Sequence, residues 1–328
     1  MQNLEKEIID QYSLDVRNII PHRDAFIINT FENRKLMRKS GLSAERILFI
    51  HSAKEHVYNN KFVNLDRNLC TNLGSPYIEI DGSNYIVSDL IEGTECNFDN
   101  KNDMINVSRM LAALHKASKG FLPPENSVIR SELGKLPFFF GKRLDELKRL
   151  KKVARKGRSK FDYMFLECYE YFYQLGENAL DLMNASKYQE LVKRAKGEGV
   201  LCHHDFTHHN ILHSDNKYYL TNFDYCCIEL KVYDIANLIR RKMRKCMWDA
   251  NEAGVILNEY RTVEGLSHDE FVVMKIILQF PQKFWRVINK YYNSKRSWSE
   301  KSFILRLQEV IDEVEVHKKF MDIFNDLE

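Results

Sequence analysis

Short apolar runs broken by turn dipeptides fill the first part of the chain, and apolar stripes at three- and four-residue spacing fill most of the rest. Ala25 to Thr30 (A-F-I-I-N-T) and Lys35 to Arg38 read as two strands joined around Glu32-Asn33. Ser43 stands where a helix cap is expected, and Glu45, Arg46, Ile47, Ile50 and Val57 follow at roughly helical spacing. Tyr77 to Glu79 and Asn84 to Ser88 predict a hairpin around Asp81-Gly82. The polar stretch D-L-I-E-G, ending at Gly93, predicts a hinge, and from Met104 one helical face collects Met104, Val107, Leu111 and Leu114. A mostly helical stretch covers about 120–195, strands with a polar loop cover 200–225, and helices run to the end, the last marked by Ile304, Leu307, Ile311 and Val314. The pattern predicts an α+β fold: a small β-rich lobe over 1–90 and a large helical lobe over 91–328 that carries the loop segment 201–225. No internal repeat or low-complexity tract interrupts it.

The loop reads L-C-H-H-D-F-T-H-H-N-I-L, Leu201 to Leu212, with Asp205 and Asn210 five positions apart. Val200 and Leu201 before it and Ile211 and Leu212 after it pin it between two short buried strands. Phosphoryl transfer uses such a pair: an acid orients the attacking hydroxyl, and an amide oxygen helps to hold magnesium. The next element, T-N-F-D-Y from Thr221 to Tyr225, should supply the principal magnesium carboxylate, yet the position reads Asn222. In this reading His203 braces the loop by hydrogen bonds to backbone, and Asp234, in Y-D-I-A-N-L, acts as an N-cap that accepts loop N–H groups. A plain structural cap is the alternative for Asp234.

Five histidines, His203, His204, His208, His209 and His213, fall within eleven residues and pose a metal site as a rival. The pairs His204/His208 and His209/His213 share a face only if the segment is helical, and no separate carboxylate or cysteine cluster in the sequence completes a coordination sphere.

Bulk properties narrow the classes further. In 328 residues the net charge is +3, too small to imply nucleic acid as a partner. The basic run from Lys148 to Lys160 carries eight charges in thirteen residues without aromatics for base stacking, and reads as a solvated helix face closed by Gly157. Seven cysteines without a C-x-x-C pair predict reduced, mostly buried thiols of a cytosolic setting. The acidic N-terminus is no signal peptide, and no apolar run approaches the ~18 residues of a membrane span, so a soluble protein is expected. Phe138-Phe139-Phe140 and Phe284-Trp285 are expected to pack between helices.

H-H-D-x-x-x-x-N, then N-F-D-Y and D-I-A, resembles the aminoglycoside- and choline-kinase branch of the protein-kinase-like fold. L-Q-F-P-Q-K-F-W-R (Leu278 to Arg286) with Tyr291 and Tyr292, L-S-A-E-R-I-L-F-I, S-D-L-I-E-G-T-E and L-A-A-L-H-K-A-S-K-G-F together resemble the CotS-type spore coat proteins of endospore-forming bacteria. The similarity runs from about residue 10 to about residue 320. It implies a two-lobed kinase-like fold, synthesis in the cytoplasm followed by incorporation into the spore coat, and other coat proteins as partners. A small-molecule or nucleotide ligand is also implied, with magnesium and ATP as cofactors if the protein is active and none otherwise.

Carried over residue by residue, the resemblance makes Asp205 the catalytic acid and Asn210 with Asp224 the metal ligands. Asn222 occupies the position of the family's main magnesium Asp. Arg38, with Lys39 beside it, stands at the phosphate-gripping lysine, which is not a conservative exchange. Glu55 would be its partner acid on the following helix, and the backbone near Asp89 and Ile91 would meet the adenine. The turn F-E-N-R, Phe31 to Arg34, has no glycine for a phosphate nest. Neutral amide oxygen is a poor substitute for a carboxylate on magnesium, so these departures imply a degenerate kinase with a binding or structural role. The alternative is an active ATP-dependent phosphotransferase acting on a hydroxyl.

Overall fold

The computed structural model describes residues 2–294 and 299–328, with side chains from Leu4 onward. The chain packs as two compact units, one formed by 1–131 with 198–228 and the other by 132–197 with 229–328. The loop segment therefore belongs to the same unit as the β-rich beginning of the chain.

The first unit opens with helix α1 (Gln2–Ile9), followed by strands β1 (Val16–His22), β2 (Ala25–Thr30) and β3 (Arg34–Ser40), helix α2 (Ala44–Asn59), strands β4 (Ile78–Ile80), β5 (Ser83–Asp89) and β6 (Thr94–Glu95), and helix α3 (Lys101–Ser118). The sheet order is β1-β2-β3-β5-β4, antiparallel throughout. Alternation along β2, β3 and β5 buries Ile28, Met37 and Val87 on one face, where Ile8, Ile9 and Tyr12 cover them. The expected turns recur: β2 and β3 join around Glu32-Asn33, and β4 and β5 around Asp81-Gly82, where both residues have positive φ. Ser43 caps α2 by accepting the Arg46 N–H at 3.3 Å, and Met104, Val107, Leu111 and Leu114 of α3 are all buried. Short strands β7 (Leu201–Cys202), β8 (Ile211–Ser214), β9 (Lys217–Leu220) and β10 (Cys227–Ile228) complete the unit. β7 pairs with β10, and β6 joins β8 and β9 in a three-stranded sheet.

The second unit is helical: α4 (Leu136–Ala154), α5 (Lys160–Ala185), α6 (Tyr188–Glu198), α7 (Val232–Met243), α8 (Ala250–Arg261), α9 (His268–Gln279), α10 (Gln282–Asn293), α11 (Glu300–Asp312) and α12 (Val314–Ile323). Its core stacks Phe172 on Phe284 at 4.2 Å and Phe140 on Phe280 at 3.9 Å between ring centres. Helix α4 ends at Ala154 with Arg155 as its cap, so Gly157 does not close it. Gly157 instead clears space for Asp162, whose carboxylate oxygen would lie 2.1 Å from a Cβ there, and Asp162 closes a capping box with Ser159. Three other expectations shift. Phe138 is 65% exposed, Cys70 is exposed, and Val314 begins a new helix rather than extending the last one. Among the described residues no helix is long and apolar enough to cross a membrane.

Candidate nucleotide-type site in the first unit

Strands β7 and β8 hold the ends of the loop, and the loop turns through a left-handed His204 (φ 66°) and a one-turn 3-10 segment, His208–Asn210. His203 is fully buried; its Nε2 lies 3.0 Å from the Thr221 carbonyl and its ring meets Phe223 edge-on at 4.9 Å. The Thr221 N–H in turn bonds the Asn210 carbonyl at 2.8 Å, so the loop and the following segment are tied together through backbone.

Asp205, Asn210 and Asn222 converge in one chain of hydrogen bonds. Asn210 Nδ2 donates to the Asp205 carboxylate at 2.9 Å and to its backbone carbonyl at 2.8 Å. Asn222 Nδ2 donates to Asn210 Oδ1 at 3.1 Å, the oxygen a metal would use. Asn222 is left-handed (φ 62°, ψ 65°), a conformation that asparagine tolerates better than most residues. Phe223–Tyr225 then forms a 3-10 turn rather than a continuing strand. Asp224 consequently does not share a strand face with Asn222; it pairs instead with Arg38 at 2.9 Å.

The donor set does not fit a magnesium ion. Its amide oxygen is occupied by an amide N–H, its second carboxylate is ion-paired to arginine, and the position of its main carboxylate is neutral.

The remaining assigned residues divide. Arg38 lies on β3 with its guanidinium at Asp224, whereas Lys39 is exposed and, by strand alternation, projects from the opposite face. Glu55 does not meet Arg38: it forms a two-pronged pair with Arg67, at 2.9 and 2.6 Å. The Asp89 carboxylate binds Lys35 at 2.6 Å and its N–H binds the Arg67 carbonyl at 2.9 Å. Ile91 makes no backbone hydrogen bond among the described residues and, with Leu90, Glu92, Arg34 and Tyr219, lines a hollow of about 430 Å³. That volume lies within the ~300–1,000 Å³ usual for small-molecule sites. Asp234 is buried inside the first turn of α7, where Lys231 occupies the cap position, so it is not an N-cap.

The histidines sit differently from either helical pairing. The rings of His208 and His209 are neighbours, tilted by 38° at 3.8 Å between centres, His213 belongs to β8, and Glu95 of β6 accepts from or pairs with His209 Nδ1 at 2.6 Å. A carboxylate does therefore join two histidines, with all three ligand atoms within 4.8 Å, on a largely exposed surface.

A family described as "Spore coat putative kinase YutH" matches residues 5–324. The chain belongs to this family. Among curated proteins it is 25% identical over 329 aligned residues to spore coat protein S of Bacillus subtilis, covering 98% of this chain and 93% of that protein. It is 24% identical to the endospore coat-associated protein YutH of the same organism, over 60% of this chain and 57% of that one. Among solved structures, an aminoglycoside phosphotransferase from Alicyclobacillus acidocaldarius superposes with a TM-score of 0.84 at 18% identity, covering 98% and 95% of the two chains. Spectinomycin phosphotransferase in complex with ADP and spectinomycin gives 0.57 at 14% identity, covering 98% and 94%. The fold is protein-kinase-like.

Within this spore coat kinase-like family member, two cations on α2 escaped the sequence reading. Arg46 is buried and donates from Nη2 to the carbonyls of Asp224 (3.0 Å) and Cys226 (2.6 Å) while lying over Phe49. Lys54, also buried, binds Asp66 and Asn68 and sits 5.4 Å from the Phe223 ring centre. Nothing in their spacing along the helix identifies them as contacts of a segment about 180 residues away. Burial pushes the neighbouring Cys226 thiol up to about 11, so it is an inert small side chain in this setting.

Proposed function

We propose that this protein is a degenerate kinase of the spore coat that binds a nucleotide-like ligand without needing magnesium and does not transfer phosphoryl groups. The observation that carries this reading is the hydrogen bond that Asn222 Nδ2 donates to Asn210 Oδ1, which puts a neutral contact where a metal would bind. The Arg38–Asp224 pair supports it, because one of the two carboxylates at the site, Asp224, already has a cation. In the ligand-bound state Ile91 would offer its backbone to a base and Arg38 would face the phosphates. Membership of the family and similarity to the relative named spore coat protein S support incorporation into the coat alongside other coat proteins.

A second reading keeps Asp205 as the group that positions a substrate hydroxyl, with Asn210 and Asp224 sharing magnesium in an active ATP-dependent phosphotransferase. Retention of Asp205 beside Asn210 favours it.

Thermal shift with ATP, in EDTA and in millimolar magnesium, separates the two. Equal stabilisation in both buffers, with no ATP consumption over hours, is expected. ATP binding that tightens about tenfold or more with magnesium, or steady turnover in the presence of hydroxyl acceptors, would overturn the degenerate reading.

A further inference from the structure

The C-terminal end of α7 carries Arg240 and Arg244 one helical turn apart, and both line a hollow of about 60 Å³ contained in the second unit. Like charges at this spacing repel. Arg240 is buried, and its guanidinium meets two neutral acceptors, Asn237 Oδ1 at 3.0 Å and the Ile277 carbonyl. Among the described residues no carboxylate lies within ion-pair distance of Arg244, which is half-buried. One carboxylate lines the hollow, Glu313, and it is taken by Lys283 at 2.7 Å and by the Trp248 indole N–H at 3.4 Å. Lys283 has a further partner in Glu309 at 3.4 Å.

The favourable end of a helix dipole accounts for the neighbouring exposed bases Arg241 and Lys245. It does not account for two arginines turned into a hollow whose walls include Tyr171, Phe172, Trp248, Phe280 and Phe284. Burial, with repulsion from Arg244, Arg286 and Arg143, lowers Arg240 to about 9, and burial followed by repulsion from Arg286 also lowers Arg244. Glu313 and Glu309 act on Arg244 only from beyond ion-pair distance; cations removed from water without a paired counter-charge are costly, and an anion entering from solvent relieves that cost.

We propose that this hollow binds the acid group of a small amphipathic oxyanion, which pairs with Arg244 beside Arg240; about 60 Å³ admits that group alone, and the apolar body rests at the mouth on the Trp248 side. It is independent of the nucleotide-type loop. Carboxylate and phosphate headgroups share the chemistry, since a guanidinium fork donates to either in a two-pronged pair.

The experiment uses the full chain at constant ionic strength maintained with sodium chloride. Benzoate, phenyl phosphate and inorganic phosphate are each titrated while Tm and tryptophan emission are followed, with Trp248→Phe assigning the fluorescence change. Benzoate or phenyl phosphate, or both, should raise Tm saturably and alter Trp248 emission, with inorganic phosphate weaker because it lacks the apolar body. Arg244→Gln should weaken binding by about tenfold or more, Arg244→Lys should retain part of it, and Arg38→Ala should leave it unchanged. If Arg244→Gln does not fold, Lys283→Met serves as the second variant and should also weaken binding. A chloride-matched buffer giving the same Tm rise, a silent Trp248, or full binding by Arg244→Gln would each overturn the proposal. Loss of the effect in Arg38→Ala would assign the anion to the loop instead, and would overturn it equally.

Discussion

Arg38 on β3 and Asp224 in the 3-10 turn after the loop are ion-paired at 2.9 Å although 186 residues separate them in sequence. The pair fastens the strand of the antiparallel sheet to the segment that follows the loop. It also removes Asp224 from the pool of carboxylates that a divalent ion could recruit. Both side chains are about one-third exposed, 34% and 28%, so solvent screens the contact. A double-mutant cycle of Arg38→Ala and Asp224→Ala, measured by urea unfolding, should give a coupling of about 0.2–1 kcal/mol. A coupling indistinguishable from zero would mean that the contact does not persist in solution.

Restoring a carboxylate at position 222 has two opposed consequences. Asn222→Asp removes the N–H that bonds Asn210 Oδ1 and brings a second acceptor up to it. Without metal the variant should lose about 1–2 kcal/mol relative to the parent. Millimolar magnesium should return much of that loss, while leaving the parent protein's Tm unmoved. A variant indifferent to magnesium would mean that Asp205 and Asn210 no longer form a competent set.

Arg46 binds two carbonyls of the Asp224–Cys226 segment from a buried position. Arg46→Ala strands both acceptors and should cost about 2–4 kcal/mol in urea or thermal unfolding. Arg46→Lys should recover part of the loss, because one nitrogen, Nη2, serves both oxygens and an ammonium carries enough N–H groups to do the same.

Glu229, almost wholly buried in the second unit, has its carboxyl pushed up to about 8, chiefly by burial and further by Glu132 and Asp234. Its folded value lies above the unfolded one, so the neutral acid favours the fold. That contribution is complete below the unfolded pKa near 4.5 and disappears as pH rises through the folded value of about 8. Glu229→Gln should therefore raise Tm at pH 8–9 relative to the parent and leave it nearly unchanged near pH 4.5. Each unit of displacement is worth about 1.4 kcal/mol, so the difference should be several degrees. A constant difference across this range would show that Glu229 does not titrate as its burial requires.

The hairpins, the capped α2, the buried stripe of α3 and the loop between β7 and β8 were all legible because each follows from a local period or a local turn residue. The meeting of Asp205, Asn210 and Asn222 was legible because two short buried strands leave little freedom to the loop between them. The partner choices were not. Glu55 sits one position from Lys54 and pairs with Arg67, whereas Lys54 turns inward to Asp66. A helix presents consecutive residues about 100° apart, and sequence alone does not say which of two adjacent charges faces the interior. The turn at Asn222 is not legible for a related reason: the stretch to residue 225 is expected to be strand, and one left-handed residue redirects everything after it.

Gly93 deserves a different role from the swivel its sequence suggested. A Cβ there would stand 2.6 Å from the His213 carbonyl, and the next two residues, Thr94 and Glu95, are zipped to His213 and Leu212. The connection after the sheet is thus stapled to the strand that leaves the loop, so a bend at Gly93 would have to carry β8 and β9 with it. Any ligand that reshapes this stretch must move it as a plank, and Gly93→Ala would jam the plank rather than stiffen a joint.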